Sequence, residues 1–496
     1  MAAPLVVGID QGTSSTKCLL VDLAGTVVTQ GQAALSETHP QPGWVEQDAE
    51  AIWASVQAAV RDCVSPDRAA DVVAVGLSTQ RESVVVWDRA TGEPLSPVLS
   101  WQDRRTVSLA TSIGTPAALD CVRAISGLPL DPMFSALKAR WLLDSIDPDR
   151  SGARAGALCV GTIDSWIMSR FGGAPLIEAG NASRTQLLDV DRATWSDDLL
   201  DLFDIPVAAL PDVVPSDGPF PAIRGLAPLP DGVPLRAVMA DSHAALFGHG
   251  AKRPGEVKAT QGTGSSVMGL VAPGEPLDPG VCKTIAWSVD GVVHAAEGNI
   301  RAAGATLRWV AGILNTSVDE LMGLAEGTDS QGVSLVPGFN GLGAPWWDDQ
   351  AVGLLTNVTL GTSRASIARA ALDSIAHQIA DVVDAIDRGP TPVSRLFVDG
   401  GPTRNDQLMQ TEADLIGRPI LRGATAELSA LGVIHLAGLK SGVWTEADLA
   451  DRQTRRDVFE PRMTDEARRA AREHWRHAVD RSRLRDHAPT REPTAA

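Results

Sequence analysis

The chain has 496 residues, of which 44% are hydrophobic and 21% charged, and its formal charge is −18. That length exceeds one ordinary domain and fits two, and the composition is that of a globular protein with sizeable cores. The negative field excludes a nucleic acid or an anionic membrane as general partner, since it repels phosphate, but it leaves room for a local nucleotide pocket.

Taken in chain order, residues 5–9 and 18–21 read as short buried strands joined through DQGTSSTK, with 26–28 continuing the hairpin. The start MAAPLVVGID lacks a basic region and a long apolar core, so it reads as the first strand and not as a leader. Asp48 is a candidate N-cap for a helix with Ile52, Val56 and Val60 on one face. A strand at 72–77 runs into STQRES, and 84–87 returns. From about 110 to 230 helical patterns alternate with Pro/Gly-rich loops, and PDVVPSDGPFPAIRGLAPLPDG resembles an inserted surface segment.

A second strand-turn-strand unit follows at 257–270. Ile367, Ala371, Ile375, Ile379, Val383 and Ile386 then mark one face of a long helix, and a strand at 396–398 ends in DGGPTRND. The run DEARRAAREHWRHAVDRSRLR reads as a solvated helix face, and residues 485–496 as a disordered tail. Two α/β halves are expected, 1–249 and 250–484. No apolar run approaches the roughly 18–20 residues of a membrane span. The five cysteines form no CxxC pair, which predicts a reduced, cytoplasmic setting.

The two hairpins share a phrase. QGTSS at Gln11 and QGTGSS at Gln261 both end an apolar run in small hydroxyl residues. Such a tip exposes backbone N–H groups and hydroxyls, and glycine allows close approach, which suits phosphate oxygens. Asp10 before the first turn can hold a hydrated Mg²⁺ against those phosphates; the matching position in the second is Thr260. Lys17 can neutralise a terminal phosphate. Gly400 and Gly401 at the end of a strand let a flat base or ribose lie against the backbone. Either hairpin alone could satisfy only itself; two of them heading two halves point to a nucleotide held between.

In a single order, the segments GIDQGTSSTK, GWVEQD, STQRES, SWQDRRT, GLPLDP, GTIDSW, NASRT, ADSHAALFG, QGTGSS, GLGAPWWD and VDGG resemble the FGGY family of sugar and polyol kinases, and within it the glycerol kinases. The resemblance covers residues 5 to 445. It implies an α/β fold of two actin-like (ribonuclease H-like) ATPase domains, with ATP in the cleft between them. The first domain would bind the acceptor and phosphates, the second the nucleotide.

Residue roles follow from the resemblance. Asp10 would meet Mg²⁺ through water, and Gly12, Thr13, Ser14, Ser15 and Lys17 would line the first phosphate tip. Thr263, Gly304, Gly401 and Asn405 would contact the nucleotide; Arg308 stands where glycerol kinases carry a glutamine. Arg81 and Glu82 would hydrogen-bond acceptor hydroxyls, one donating and one accepting, and Trp101 would pack on the acceptor's carbons. On residues alone, neighbouring Arg and Glu are ordinarily a solvated pair, but the apolar strand before Arg81-Glu82 points them at a strand end, where α/β proteins place ligands; a core position is the alternative for Trp101, and Asp241 reads as a helix cap. The resemblance makes Asp241 the general base that takes the proton of an acceptor hydroxyl.

Two positions depart from the glycerol-kinase pattern. Met133 replaces a tyrosine whose hydroxyl touches the polyol, and Ser242 replaces a glutamine after the catalytic aspartate. The expected activity is ATP-dependent phosphorylation of glycerol or a related short polyol. The alternatives are a ketopentose (xylulose-like) or longer acceptor, and a non-catalytic actin-like nucleotide-binding protein. The family implies a homodimer as a further possibility. His243 and His249 are expected to be structural.

Overall fold

The computed structural model describes residues 4–423, 425, 427–452 and 456–485, so the expected disordered tail lies, from residue 486 on, outside the described residues. A five-stranded sheet in the first half has the order Val27–Ala34, Ser15–Val21, Leu5–Gln11, Val72–Thr79, Leu235–Ala240. Its first three strands form an antiparallel meander, and the last two run parallel to the first strand. Their residues (LVVGI, VVAVGL, LRAVMA) are nearly all apolar because a parallel sheet is covered on both faces.

The second half repeats this plan. Strands Val292–Ile300, Ser265–Leu270, Glu256–Gln261, Arg395–Gly400 and Ile420–Gly423 lie in that order, again antiparallel on one side and parallel on the other. Cys282–Ser288 and Arg456–Phe459 extend its two edges. The two expected hairpins therefore head two copies of one sheet plan.

Helix Ala49–Cys63 buries Ile52, Val56 and Val60 against the first sheet, and Asp48 caps it by accepting from the Glu50 amide at 2.9 Å. Helix Arg364–Asp387 buries Ala371, Ile375, Ile379, Val383 and Ile386 against Val257, Ala259 and Val267 of the second. Between the sheets lie two helices, Asp241–Gly248 from the first half and Leu428–Lys440 from the second. Their backbones nearly touch: a Cβ on Gly432 would sit 1.8 Å from the Ala244 carbonyl oxygen. The 428–440 helix thus packs on the first sheet although it belongs to the second half of the sequence.

Segment 211–232 is not a surface insertion. Asp212–Val214 pairs with Leu176–Glu178, and Ile223, Leu226, Leu229 and Val233 are buried in the first core, where apolar side chains at loop positions repay its lack of regular structure with burial. The C-terminal helix Asp465–Ser482 is likewise only partly solvated; Trp475 and Val479 are buried, and Arg472 reaches Asp381 at 2.6 Å. Among the described residues no helix is long and apolar enough to cross a membrane.

Candidate active site

The crossover from the first sheet to a small side sheet carries the turn expected to meet the acceptor. Val72–Thr79 ends, Gln80 to Ser83 turn, and Val84–Asp88 enters a four-stranded sheet with Glu46–Gln47, Val98–Leu99 and Leu158–Thr162. Glu82 has φ 61°, a conformation costly for a side chain with a Cβ and common where function over-determines the backbone. An amide chain braces the turn: Ser83 Oγ donates to Gln80 Oε1 at 2.9 Å, and Gln80 Nε2 donates to Gln47 at 3.0 Å and Gln11 at 3.2 Å.

Arg81 and Glu82 are buried, not a solvated pair. Arg81 NH1 donates to both oxygens of Glu297 at 2.7 and 2.8 Å, while its Nε lies 3.1 Å from Asp241 Oδ1. Glu82 Oε1 accepts from Arg184 Nε at 2.7 Å. Arg184 in turn lies 2.9 Å from Glu297 and 5.0 Å above the Phe134 ring. Burial alone would raise Glu297, yet the guanidiniums of Arg184 and then Arg81 hold it well below the usual carboxylate range. Glu297 comes from the second sheet, and both arginines from the first half.

Sequence reasoning gave Glu297 and Arg184 no role. Arg184 sits in NASRT, which carried the resemblance but no assignment. The signal for Glu297 was a lone acid in the apolar strand VVHAAEGNI, since a charge at a buried strand position needs a partner.

Asp241 follows the end of strand Leu235–Ala240 and opens helix Asp241–Gly248. Both of its described contacts fall on Oδ1, from Arg81 and from the Ser242 amide at 2.6 Å. Ser242 itself is buried. Asp10, at the end of the first strand, accepts from Ser78 Oγ at 2.9 Å. Burial first, and the Asp241 carboxylate second, push Asp10 up to about 7. A buried Asp10 of raised proton affinity beside the Asp241 carboxylate is a place that suits a cation.

The hairpin tips differ in length. Gln11 pairs with Thr16 around Gly12, Thr13, Ser14 and Ser15, whereas Gln261 pairs with Ser265 around three residues. Gly12 N donates to Ser15 O at 3.0 Å, and Gly262 N to Gly264 O at 2.8 Å. Trp101 Nε1 donates to Thr13 Oγ1 at 3.0 Å, so this indole is tied to the first tip as well as standing beside the acceptor turn. Arg308 NH2 donates to Thr263 Oγ1 at 3.1 Å, which puts the arginine that replaces a glutamine at the second tip. Lys17 makes an ion pair across the halves with Glu427 at 2.7 Å.

The remaining residues expected to meet the nucleotide cluster at the second sheet. Gly304 N donates to Gly262 O at 3.0 Å. Gly400 has φ 101° and lies against Gln261, while a Cβ on Gly401 would meet nothing within 4 Å. Asn405 caps helix Asp406–Ile416 through Oδ1, which accepts from Leu408 N at 2.8 Å and leaves its NH₂ group as the donor. Below the tip, Lys258 Nζ donates to Thr260 Oγ1 at 2.9 Å, and Thr260 donates to Asp399 at 3.0 Å. Burial pushes Lys258 down to about 8. His249 bonds Asp399 at 2.8 Å and stacks on Phe397; burial holds His243 well below its ordinary value.

Met133 is half-buried beside Leu128, Phe134 and Cys282. Its loop is gripped by Lys138, whose Nζ donates to the carbonyls of Pro132, Met133 and Phe134 at 3.0, 2.6 and 2.9 Å.

Comparison with known proteins matches both halves of the chain. The profile of the FGGY family of carbohydrate kinases, N-terminal domain, matches residues 5–248, and that of its C-terminal domain residues 257–441. The chain is 42% identical to the apulose kinase of Pectobacterium atrosepticum, over 98% of this chain and 100% of that one. It is also 42% identical to the glycerol kinase of Dechloromonas aromatica, over 96% and 97%. Among solved structures, Plasmodium falciparum glycerol kinase with ADP superposes with a TM-score of 0.90 at 27% identity, over 97% and 99% of the two chains. The xylulose kinase of Lactobacillus acidophilus shares the fold, with a TM-score of 0.84 at 19% identity over 96% and 97%.

Proposed function

The chain belongs to the FGGY family of carbohydrate kinases, with its two-domain actin-like ATPase fold, and we propose that it phosphorylates a hydroxyl of a small polyol or sugar with ATP. The observation that carries this reading is Asp241: an acid whose Oδ1 is pinned by Arg81 while Oδ2 carries no described contact. An alcohol becomes a good nucleophile as a carboxylate accepts its proton, and Oδ2 is the atom left to do so. Glu82, with one oxygen on Arg184, has the other for an acceptor hydroxyl, and Arg81 NH2 can donate to the next. Trp101 beside them offers an apolar face to the carbons.

The residues fit ATP and Mg²⁺. Thr13 and Thr263 stand at the two tips, Gly401 leaves its face open, and the Asn405 NH₂ is available to a base. Asp10 would hold Mg²⁺ through water. Bound, the two supply the transferable phosphoryl group and the neutralisation of its charge. The chain's own part is to hold the acceptor hydroxyl in line, take its proton at Asp241 and keep water out of the cleft. A cytoplasmic setting suits the ATP supply.

Glycerol or a related short polyol is the first acceptor reading, resting on the Arg81-Glu82 turn. A ketose or longer polyol is the second, favoured by Met133 and Ser242, which remove one hydroxyl partner and open space. The test is ADP release from Mg-ATP with glycerol, tetritols, pentitols, ketopentoses and aldonates. Acceptor-dependent release is expected; tight ATP binding with no release for any acceptor would instead favour a non-catalytic nucleotide-binding protein.

A further inference from the structure

The acceptor site continues beyond the turn that bears Arg81 and Glu82. On strand Val292–Ile300, Glu297 faces the first half, because it meets Arg81 and Arg184. Alternate residues share a face, so Asn299 and then Arg301, just past the strand end, follow it in the same direction. The contacts agree. Asn299 Oδ1 accepts from Arg184 NH2 at 3.3 Å, and Arg301 NH2 lies 3.1 Å from Asp131 Oδ2.

A second row faces this one from the first half. Glu82 joins Arg184, which lies over Phe134; Met133 follows Phe134's loop back to Asp131, whose Oδ1 accepts from the Met133 amide at 2.8 Å. The rows are tied at the inner end by Glu297 and the two arginines. At the outer end Asp131 and Asp349 are shared by Arg301 and Arg104, at 3.1 and 2.5 Å from Arg301 and 3.4 and 3.0 Å from Arg104. From Glu297 to Arg301 the row runs about 13 Å at strand rise. Asn299 Nδ2 finds its nearest described acceptor, Glu297 Oε1, only at 3.5 Å.

We infer that Asn299, beside Arg184 and Glu297, forms a distal acceptor contact that selects a four- or five-carbon polyol or ketose over glycerol, with Arg301 closing the row beyond it through Asp131, Asp349 and the Asn340 carbonyl. This rests on the kinase reading above. A triol engaged by Arg81, Glu82 and Asp241 ends before the second row of donors begins. Asn299 lies about 7 Å from Glu297 along the strand, so an acceptor with one or two further hydroxyl or carbonyl oxygens meets its amide, with Met133 covering the carbons. The Asn299 amide would then supply a polar contact that the Met133 thioether lacks.

The test compares kcat/KM for glycerol, erythritol, the pentitols and ketopentoses in the wild-type enzyme, Asn299→Ala and Arg301→Lys, with KM for ATP alongside. The wild type should prefer a four- or five-carbon acceptor. Asn299→Ala should lower the ratio of kcat/KM for that acceptor to kcat/KM for glycerol by about tenfold or more, with KM for ATP within about threefold. Arg301→Lys, which gives up the forked hold on Asp131, Asp349 and the Asn340 carbonyl, should lower thermal stability and leave that ratio within about twofold. In Asn299→Ala, a fall of both acceptors in equal proportion would overturn the proposal, because the residue would then act only through the fold. So would a wild-type preference for glycerol. A wild type that phosphorylates none of the panel overturns the kinase reading itself, a result distinct from either.

Discussion

Arg81 stands between Asp241 of its own half and Glu297 of the other, 3.1 Å from the first and 2.7 Å from the second. One guanidinium thus fixes the orientation of the proposed base and joins the two walls of the cleft. Its charge is secure: burial works against it, but Glu297, Glu82 and Asp241 together hold it well above its ordinary value. The cluster around Arg81 is therefore complete only when both halves are in place.

Glu297→Gln should be among the most damaging single changes. It keeps the side chain's shape but leaves Arg81 and Arg184 buried without their shared counter-charge, at a cost of about 3–5 kcal/mol. Urea unfolding reads the stability and initial rates read the acceptor KM, which should rise. Wild-type stability in this variant would show that the clamp contributes little.

The neighbouring glycines of the nucleotide strand should separate fold from ligand. Gly400→Ala places a methyl 1.9 Å from the Gln261 carbonyl oxygen at a φ of +101°, so the protein should lose several kcal/mol. Gly401→Ala meets nothing within 4 Å and should change stability by less than about 0.5 kcal/mol. Its ATP affinity should nonetheless fall, as calorimetric titration would read. Unchanged affinity would remove Gly401 from the nucleotide face.

Glu412 gives stability a pH dependence. Buried, and held at 2.7 Å by Gln261 Nε2, it is pushed up to about 8 by desolvation, from 4.5. Between about 4.5 and 8 the unfolded chain has released this proton while the folded chain keeps it. The unfolded state binds fewer protons there, so this group's contribution is full below about 4.5 and is lost as pH rises through 8. Glu412→Gln should flatten that slope and stabilise the protein by a few kcal/mol at pH 8 relative to wild type. Denaturant midpoints at pH 5 and 8 check it; equal slopes in both proteins would contradict it.

Lys138→Met should loosen the acceptor loop. It leaves the carbonyls of Pro132, Met133 and Phe134 without their donor, each worth about 1–3 kcal/mol if it stays buried and unpaired. A lower Tm together with a higher acceptor KM is expected, with ATP affinity retained. A normal acceptor KM would make Lys138 a purely structural group.

The doubled plan was legible because its heads repeat a phrase: Gln-Gly-Thr ends a strand at Gly12 and again at Gly262, and small hydroxyl residues follow each. The long helix was legible from Ile375, Ile379, Val383 and Ile386, spaced as one helical face. What escaped was tertiary. Nothing local pairs Glu297 with Arg81 or Arg184, which lie in three separate segments and meet only when the sheets pack. The one-residue difference between the hairpins was also hidden, since the shared letters conceal a different pairing register. Segment 211–232 misled because proline and glycine mark irregular backbone, while burial of Ile223 and Leu226 depends on what packs above them.

Asp241 is the proposed base in the phosphoryl transfer, and single-turnover transfer from Mg-ATP to the preferred acceptor in Asp241→Asn, with ATP binding titrated on the same protein, tests that role. A loss of about 10²- to 10⁴-fold in transfer is expected, with ATP affinity within about threefold of wild type. Transfer at near wild-type rate in that variant would contradict it.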